Sequence, residues 1–262
     1  MNACGSGRGM PSLSVLVVDD NEINRLYLLH ALRRMGHKPV AAVDGGQALE
    51  LFASETFDLV FMDVQLPDMD GLSLTRAIRE GRAGAANDTR IPIVALTAFA
   101  SRDDRARCLE AGMDDHLSKP VSGSDIEAAL ARALAEAGDS GAPEATDVPG
   151  FDLTAFTRDS EREFATEMLA LFLELAEPKR LALTRAVNRG DVAAAAPLAH
   201  DLAGMAGPIR ATRLHAAMKT VQEACGSGTV ESCRVSHARA DRELAMVLAA
   251  VRSHPYLADR HS

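Results

Sequence analysis

Residues 13–136 alternate short, almost unbroken apolar runs with stretches of helical periodicity, and this alternation restricts the fold more tightly than any other feature. The runs "LSVLVV", "KPVAAV", "DLVFM" and "IPIVAL" read as strands, with "DDHLS" as a weaker fifth. Between them "NEINRLYLLHALRRMG", "GGQALELFAS", "GLSLTRAIREG" and "SRDDRARCLEAG" read as helices, and "SGSDIEAALARALAEAG" as a fifth. Strands that are apolar at consecutive positions bury both faces. Alternating with helices, they predict an α/β domain with a doubly wound, five-stranded parallel sheet. Ligands of such sheets bind beyond the carboxyl ends of the strands.

The second half reads differently. Residues 138–150, "GDSGAPEATDVPG", have the Gly, Pro and small polar content of a linker. From residue 151 to about 251 the pattern is helical, interrupted at Glu177-Pro178, Gly190-Asp191, Gly207-Pro208 and "CGSG". Four or five helices with short connections predict an all-α antiparallel bundle, taken as a four-helix bundle over 151–255. The α/β domain is expected over 13–137. Residues 1–12 lack an apolar signal-peptide core and read as a disordered lead-in.

Composition excludes several classes. No apolar run approaches the ~20 residues needed to span a bilayer, so no membrane is implied. Residues 1–150 hold 14 Lys/Arg against 23 Asp/Glu, while residues 151–262 hold 14 of each. No basic helix or stripe exists, which argues against a nucleic-acid partner. The four cysteines form no CxxC pair and no His stands at zinc-site spacing, so reduced thiols in a cytoplasmic protein are expected. No signal for an oligomeric state is present.

The strand ends carry the chemistry. Strand 1 ends in Asp19 and Asp20, strand 3 in Asp63, strand 4 in Thr97, and strand 5 is followed by Lys119. Separately each has an ordinary reading: a helix cap, a β-branched strand end, a solvated ammonium. All five at the same edge of one sheet point to a site. Clustered carboxylates call for a hard dication with oxygen ligands, and Mg²⁺ fits best. A carboxylate beside such an ion can act as a nucleophile toward phosphorus and form an aspartyl phosphate. Thr97 and Lys119 would hold the phosphoryl oxygens.

In identity, order and spacing, "VVDDN", "FMDVQLPDMDG", "ALTA" and "SKP" resemble the receiver domain of two-component response regulators, a flavodoxin-like fold. The resemblance implies that Asp63 is the phosphoacceptor. It implies that Asp20, Asp63 and the Gln65 carbonyl ligate Mg²⁺, with Asp19 acting through water. Lys119-Pro120 resembles the family's cis peptide, and Thr97 its switch hydroxyl. His116 stands where the family usually has a Tyr or Phe switch, and its imidazole would add sensitivity near pH 6.5. An inert strand-end histidine is the other reading.

The helical half contains "APLAHDLAGMAGPI". At 100° per residue Leu198, Leu202 and Met205 fall within about 60° and are expected to face the core. His200 then lies opposite, beside Ala203, Gly204 and Gly207, a bare surface that would suit close docking of another protein. An inert surface histidine is the competing reading. Residues 151–255 resemble a histidine phosphotransfer (HPt) domain, through His200, Leu202 and Gly204 and through "FDLTAF", "FLELAEPKRLALTRAVNRGD" and "LHAAMKTVQEA". Three positions depart from that family. Ala203 replaces the usual Lys, Arg210 replaces the usual Gly, and Pro197 removes a helix hydrogen bond one turn before His200 and should kink the helix. Arg210 or Arg213 is a candidate replacement for the missing cation.

These readings predict a phosphorelay protein. Asp63 accepts a phosphoryl group from a sensor histidine kinase, and His200 carries it to or from another response regulator receiver. No Gly-rich ATP-binding segment follows either domain, so the chain is expected not to be a kinase by itself. One alternative is a phosphorylation-gated binding protein whose degenerate HPt-like half transfers nothing. Another is an aspartyl-phosphate hydrolase, which usually wants an Asp where Gln65 stands.

Overall fold

The computed structural model describes residues 11–97, 102–134, 159–227 and 229–258. Five strands form one parallel sheet: β1 (Ser14–Val18), β2 (Lys38–Ala42), β3 (Leu59–Asp63), β4 (Ile93–Thr97) and β5 (Asp115–Ser118), in the order β2-β1-β3-β4-β5. The central β3 and β4 are buried at every residue, as their unbroken apolar runs require. β2 lies at an edge and is partly exposed, and it carries Pro39. Proline donates no ladder hydrogen bond, so an edge strand is where it is tolerated. β1 pairs with both β2 and β3, and Val18 is opposite both Ala42 and Met62. The three strands therefore end level.

Helices α1 (Glu22–Arg34), α2 (Gly45–Ser54), α3 (Gly71–Arg79), α4 (Arg102–Glu110) and α5 (Gly123–Leu134) connect or follow the strands. Asp44 and Asp70 cap α2 and α3 by accepting from Gln47 N and Ser73 N. Such caps satisfy amides that the first turn leaves without partners. Phe52, Val60, Met62, Leu74 and Ile78 belong to one apolar cluster around the sheet. The loop after β3 closes when Gly71 N donates to the Val64 carbonyl at 2.9 Å. A Cβ on Gly71 would lie 2.1 Å from the carbonyl oxygen of Asp63, so only glycine fits there.

The helical half comprises α6 (Asp159–Arg189), α7 (Val192–Ala206), α8 (Thr212–Ser227), α9 (Val230–Arg252) and the short α10 (Pro255–Ala258). Breaks expected at Gly190-Asp191, Gly207-Pro208 and "CGSG" coincide with helix ends. The break expected at Glu177-Pro178 does not occur, because α6 runs through Pro178. Its neighbours anchor the helix there: Glu177 meets Arg252, Lys179 pairs with Asp201, and Arg180 grips Asp241 with bonds of 2.6 and 3.0 Å. Together with the buried Phe172, Ala176 and Leu183, these contacts offset the one hydrogen bond that proline forfeits. Helix α7 likewise continues through Pro197.

The chain divides into two compact units. Of the described residues, the first holds 11–20, Leu28–Ala95 and Arg102–His116. The second holds Asn21–Tyr27, Leu96, Thr97 and everything from Leu117 onward. Within it, Ile23 is part of the bundle's apolar cluster, and Leu26 and Tyr27 pack against that cluster. The linker and "FDLTAF" lie outside the described residues. Ser12, expected in the lead-in, donates its hydroxyl to the Gly36 carbonyl at 2.7 Å. Among the described residues no helix is long and apolar enough to cross a membrane.

Two substitutions test this account. Gly71→Ala should destabilise the protein by about 3 kcal/mol in chemical denaturation, since its Cβ has no room; an unchanged midpoint would refute the close approach. Arg210 adopts φ +53, the left-handed region that favours glycine. Arg210→Gly should therefore stabilise the protein by roughly 0.5–1 kcal/mol, and a loss of stability would show that the arginine side chain is needed.

Candidate functional site

Asp19 and Asp20 follow β1, and Asp63 is the last residue of β3. One carboxylate oxygen from each lies within 4.8 Å of the others. Asp19 and Asp63 are buried and Asp20 is half-buried. Three like charges this close, shielded from water, repel strongly. A hard dication with bonds of about 2.0–2.1 Å answers that repulsion, and an all-oxygen donor set is the kind Mg²⁺ takes. The donor set thus fits the ion expected from sequence.

Local bonds hold these groups in place. Gln65 N donates to Asp63 Oδ1 at 3.1 Å, and Asp19 N donates to the Ala42 carbonyl at 3.3 Å. Thr97 ends β4 and is buried. Lys119 follows β5, its amide donates to the Thr97 carbonyl at 2.7 Å, and the Lys119-Pro120 peptide is cis as expected. His116 lies in β5 with its Nδ1 3.9 Å from Asp115 Oδ1, a favourable pairing when the imidazole is protonated. The Gln65 side chain is exposed, so it is the backbone at that position that meets Asp63.

One contributor escaped the sequence reading. Asp68 accepts from Gly45 N at 3.0 Å and Gly46 N at 2.9 Å, tying the loop after Asp63 to the first turn of α2. The Gly45 amide, with Gly46 adding to it, holds the Asp68 carboxyl below its usual range. The signal was present as an Asp beside a Pro in the loop after β3 and a Gly-Gly opening the earlier helix α2. Nothing in the sequence says that those loops meet.

The second site centres on His200 in α7, which is capped by Asp191 accepting from Ala194 N. His200 is half-buried, and its Nδ1 is buried with no hydrogen-bond partner in the protein. Leu202 and Met205 are buried as expected, whereas Leu198 is only partly so. The bare face needs correction. Ala203 is 2% exposed and belongs to the core. Gly207 is buried, and Gly204 half-buried. A Cβ on Gly204 would lie 3.0 Å from Asn21 Nδ2, and one on Gly207 would lie 2.8 Å from Pro120 Cβ. Asn21 Nδ2 also donates to the Asp201 carbonyl at 3.1 Å. Close approach is thus the reason for the small residues, and within this unit the approaching groups are Asn21, Asn24 and Pro120. The apolar arc of α7 exceeds about 60° because the helix packs on α6 and α8 together.

Behind His200, the Ala203 carbonyl lies 2.8 Å from His215 Nδ1 on α8. A carbonyl only accepts, so Nδ1 carries the proton. Arg213 pairs with Glu243 at 2.7 Å, which directs it away from the role of a cation for His200, and Arg210 is exposed. Burial lowers the pKa of His215; the charges of Lys219, Lys119 and His200 push the same way, against the bond to Ala203. A folded-state pKa below the unfolded value means full stability above about pH 6.5 and loss as pH falls through it. His215→Gln should reduce the fall in stability between pH 7.5 and 5.0. It should not remove it, because burial lowers His37 and His237 too. Identical pH profiles for both proteins would show that His215 is not held neutral.

Comparison with known proteins agrees with this architecture. Residues 15–131 match the response regulator receiver domain, and residues 167–254 match the Hpt domain. The sensor histidine kinase GacS of Pseudomonas protegens is 36% identical over 201 residues, covering 72% of this chain and 22% of that protein. The sensor histidine kinase RcsC of Salmonella typhi is 40% identical over 119 residues, covering 45% of this chain and 12% of that protein. The chain therefore spans under a quarter of either relative. Among solved structures, the receiver domain of the Pseudomonas aeruginosa sensor histidine kinase PA1611, crystallised with magnesium in its active-site cleft, is 36% identical with a TM-score of 0.43. It covers 48% of this chain and is itself wholly covered. The chain thus carries a response regulator receiver domain followed by an Hpt domain.

Proposed function

We propose that this chain is an intermediate in a multistep phosphorelay, in the cytoplasm, and not by itself a kinase. The observation that carries the reading is the convergence of Asp19, Asp20 and Asp63 at the ends of β1 and β3. A sensor histidine kinase presents a phosphohistidine, and the Asp63 carboxylate attacks its phosphorus. The O–P bond forms as the P–N bond breaks, and the imidazole, protonated at its other ring nitrogen, takes the P–N electron pair and leaves as the neutral ring. Asp19, Asp20, Asp63 and the Gln65 carbonyl would hold Mg²⁺, which when bound offsets the charge of the phosphoryl oxygens. Lys119 and Thr97 orient those oxygens. His116 is the candidate for the side chain that responds to phosphorylation.

His200 then exchanges phosphate with another receiver. Burial of Nδ1 supports Nε2 as the attacking nitrogen. A phosphoryl group there needs a cation, and we assign Lys219. Lys219 follows His215 by four residues, so the two share a face of α8. His215 is tied to Ala203, three residues beyond His200. Five residues join α7 to α8, so the helices run back on each other and the turn after His215 lies level with His200.

A second reading, a binding protein with a silent HPt half, is favoured by the burial of Ala203 and Gly207. One experiment separates the two. With acetyl phosphate and Mg²⁺, the full chain should acquire base-labile acyl phosphate. Asp63→Asn or chelation of the metal should reduce that label to background. A base-stable phosphoramidate should also appear and vanish in His200→Gln, which keeps the acyl label. Undiminished acyl label in Asp63→Asn would sink the receiver assignment. Absence of any phosphoramidate, even with a phosphorylated partner receiver present, would favour the silent reading.

A further inference from the structure

We propose that Cys225 and Cys233 are a latent disulfide site that fastens the last turns of α8 to the first turn of α9. Their sulfurs are 2.8 Å apart, and both residues are buried in the apolar cluster of the bundle. A disulfide bond is about 2.05 Å long, so less than ~1 Å of movement separates the thiols from bonding. Cys233 is held by its helix start. Thr229 caps α9 by accepting from Ser232 N, and Cys233 N donates to the Thr229 carbonyl at 3.1 Å. The eight-residue spacing matches no redox or metal motif, so the pair arises only from the α8–α9 turn. Among the described residues the remaining cysteine, Cys108, is buried in the other unit.

The oxidant is a peroxide. One thiolate attacks a peroxide oxygen, the O–O bond breaks, and a sulfenic acid and a water result. The second thiolate attacks that sulfur, expels hydroxide and closes the S–S bond. Each sulfur loses one electron, both thiol protons end in water, and one peroxide becomes two waters. The reaction is slow. Burial, with Cys233 adding to it, pushes the Cys225 thiol up to about 12, so thiolate is scarce near neutral pH. That marks a durable staple and not a fast redox sensor. Because α8 also bears His215, the bond restrains the helix tied to the turn after His200.

No Lys or Arg lies between Lys219 and Arg234, so trypsin releases both cysteines in the single peptide 220–234. The full chain is incubated with excess hydrogen peroxide, blocked with N-ethylmaleimide and digested without reductant. We expect peptide 220–234 to lose two hydrogens in mass, to resist alkylation at both cysteines, and to recover both thiols with dithiothreitol. The oxidised protein should melt higher by roughly 5 °C, a shift absent from Cys225→Ser. Full alkylation of both cysteines after oxidation, over-oxidation without a crosslink, or a bond between two chains would each overturn the proposal. The mass measurement needs only the unmodified sequence, so it stands even if the variant fails to fold.

Discussion

Mutual repulsion among Asp19, Asp20 and Asp63 is the constraint around which the first half is arranged. Carboxylates within 4.8 Å, two of them buried, work against folding unless the scaffold is rigid enough to hold them. Rigidity comes from a sheet whose central strands are buried throughout and whose β1 and β3 end level. Loops are fixed by short-range bonds: Asp68 to the start of α2, Gly71 against the Asp63 carbonyl, Lys119 to Thr97. Charge opposition is concentrated where a dication would relieve it.

In the helical half the organising constraint is space. Ala199, Ala203, Gly204 and Gly207 are small because neighbours come close on more than one side of α7. His200 is left with one ring nitrogen, Nδ1, buried and without a hydrogen-bond partner in the protein. Ion pairs from α6, Lys179 to Asp201 and Arg180 to Asp241, tie the long helix to α7 and α9.

Legibility differed between the two sites for a physical reason. Asp63, Thr97 and Lys119 stood out in the sequence because a parallel sheet places consecutive strand ends along one edge, and the structure puts Asp63 and Thr97 at the ends of β3 and β4 and Lys119 just after β5. Ala203 was misplaced because a helical wheel assumes one buried face, whereas α7 has neighbours on several. Pro178 was read as a break because proline's local cost is visible in sequence and the anchors Glu177, Lys179 and Arg180 find their partners only across the bundle. Arg210 shows the reverse case: its departure from glycine was plain in sequence, and the positive φ explains why glycine would be preferred.

What the sequence determined by itself was the kind of each half: strand–helix alternation for the sheet, helical periodicity for the bundle, and the residue types at the strand ends. These are local properties, set by side-chain period and turn chemistry. Tertiary structure alone decided the rest. It grouped Ile23, Leu26 and Tyr27 with the bundle's apolar cluster, brought Cys225 to Cys233, set His215 against the Ala203 carbonyl, and buried the face of α7 that looked open. Each depends on which surfaces meet. Apolar burial is non-directional, so it drives those surfaces together without any residue pattern naming the partner.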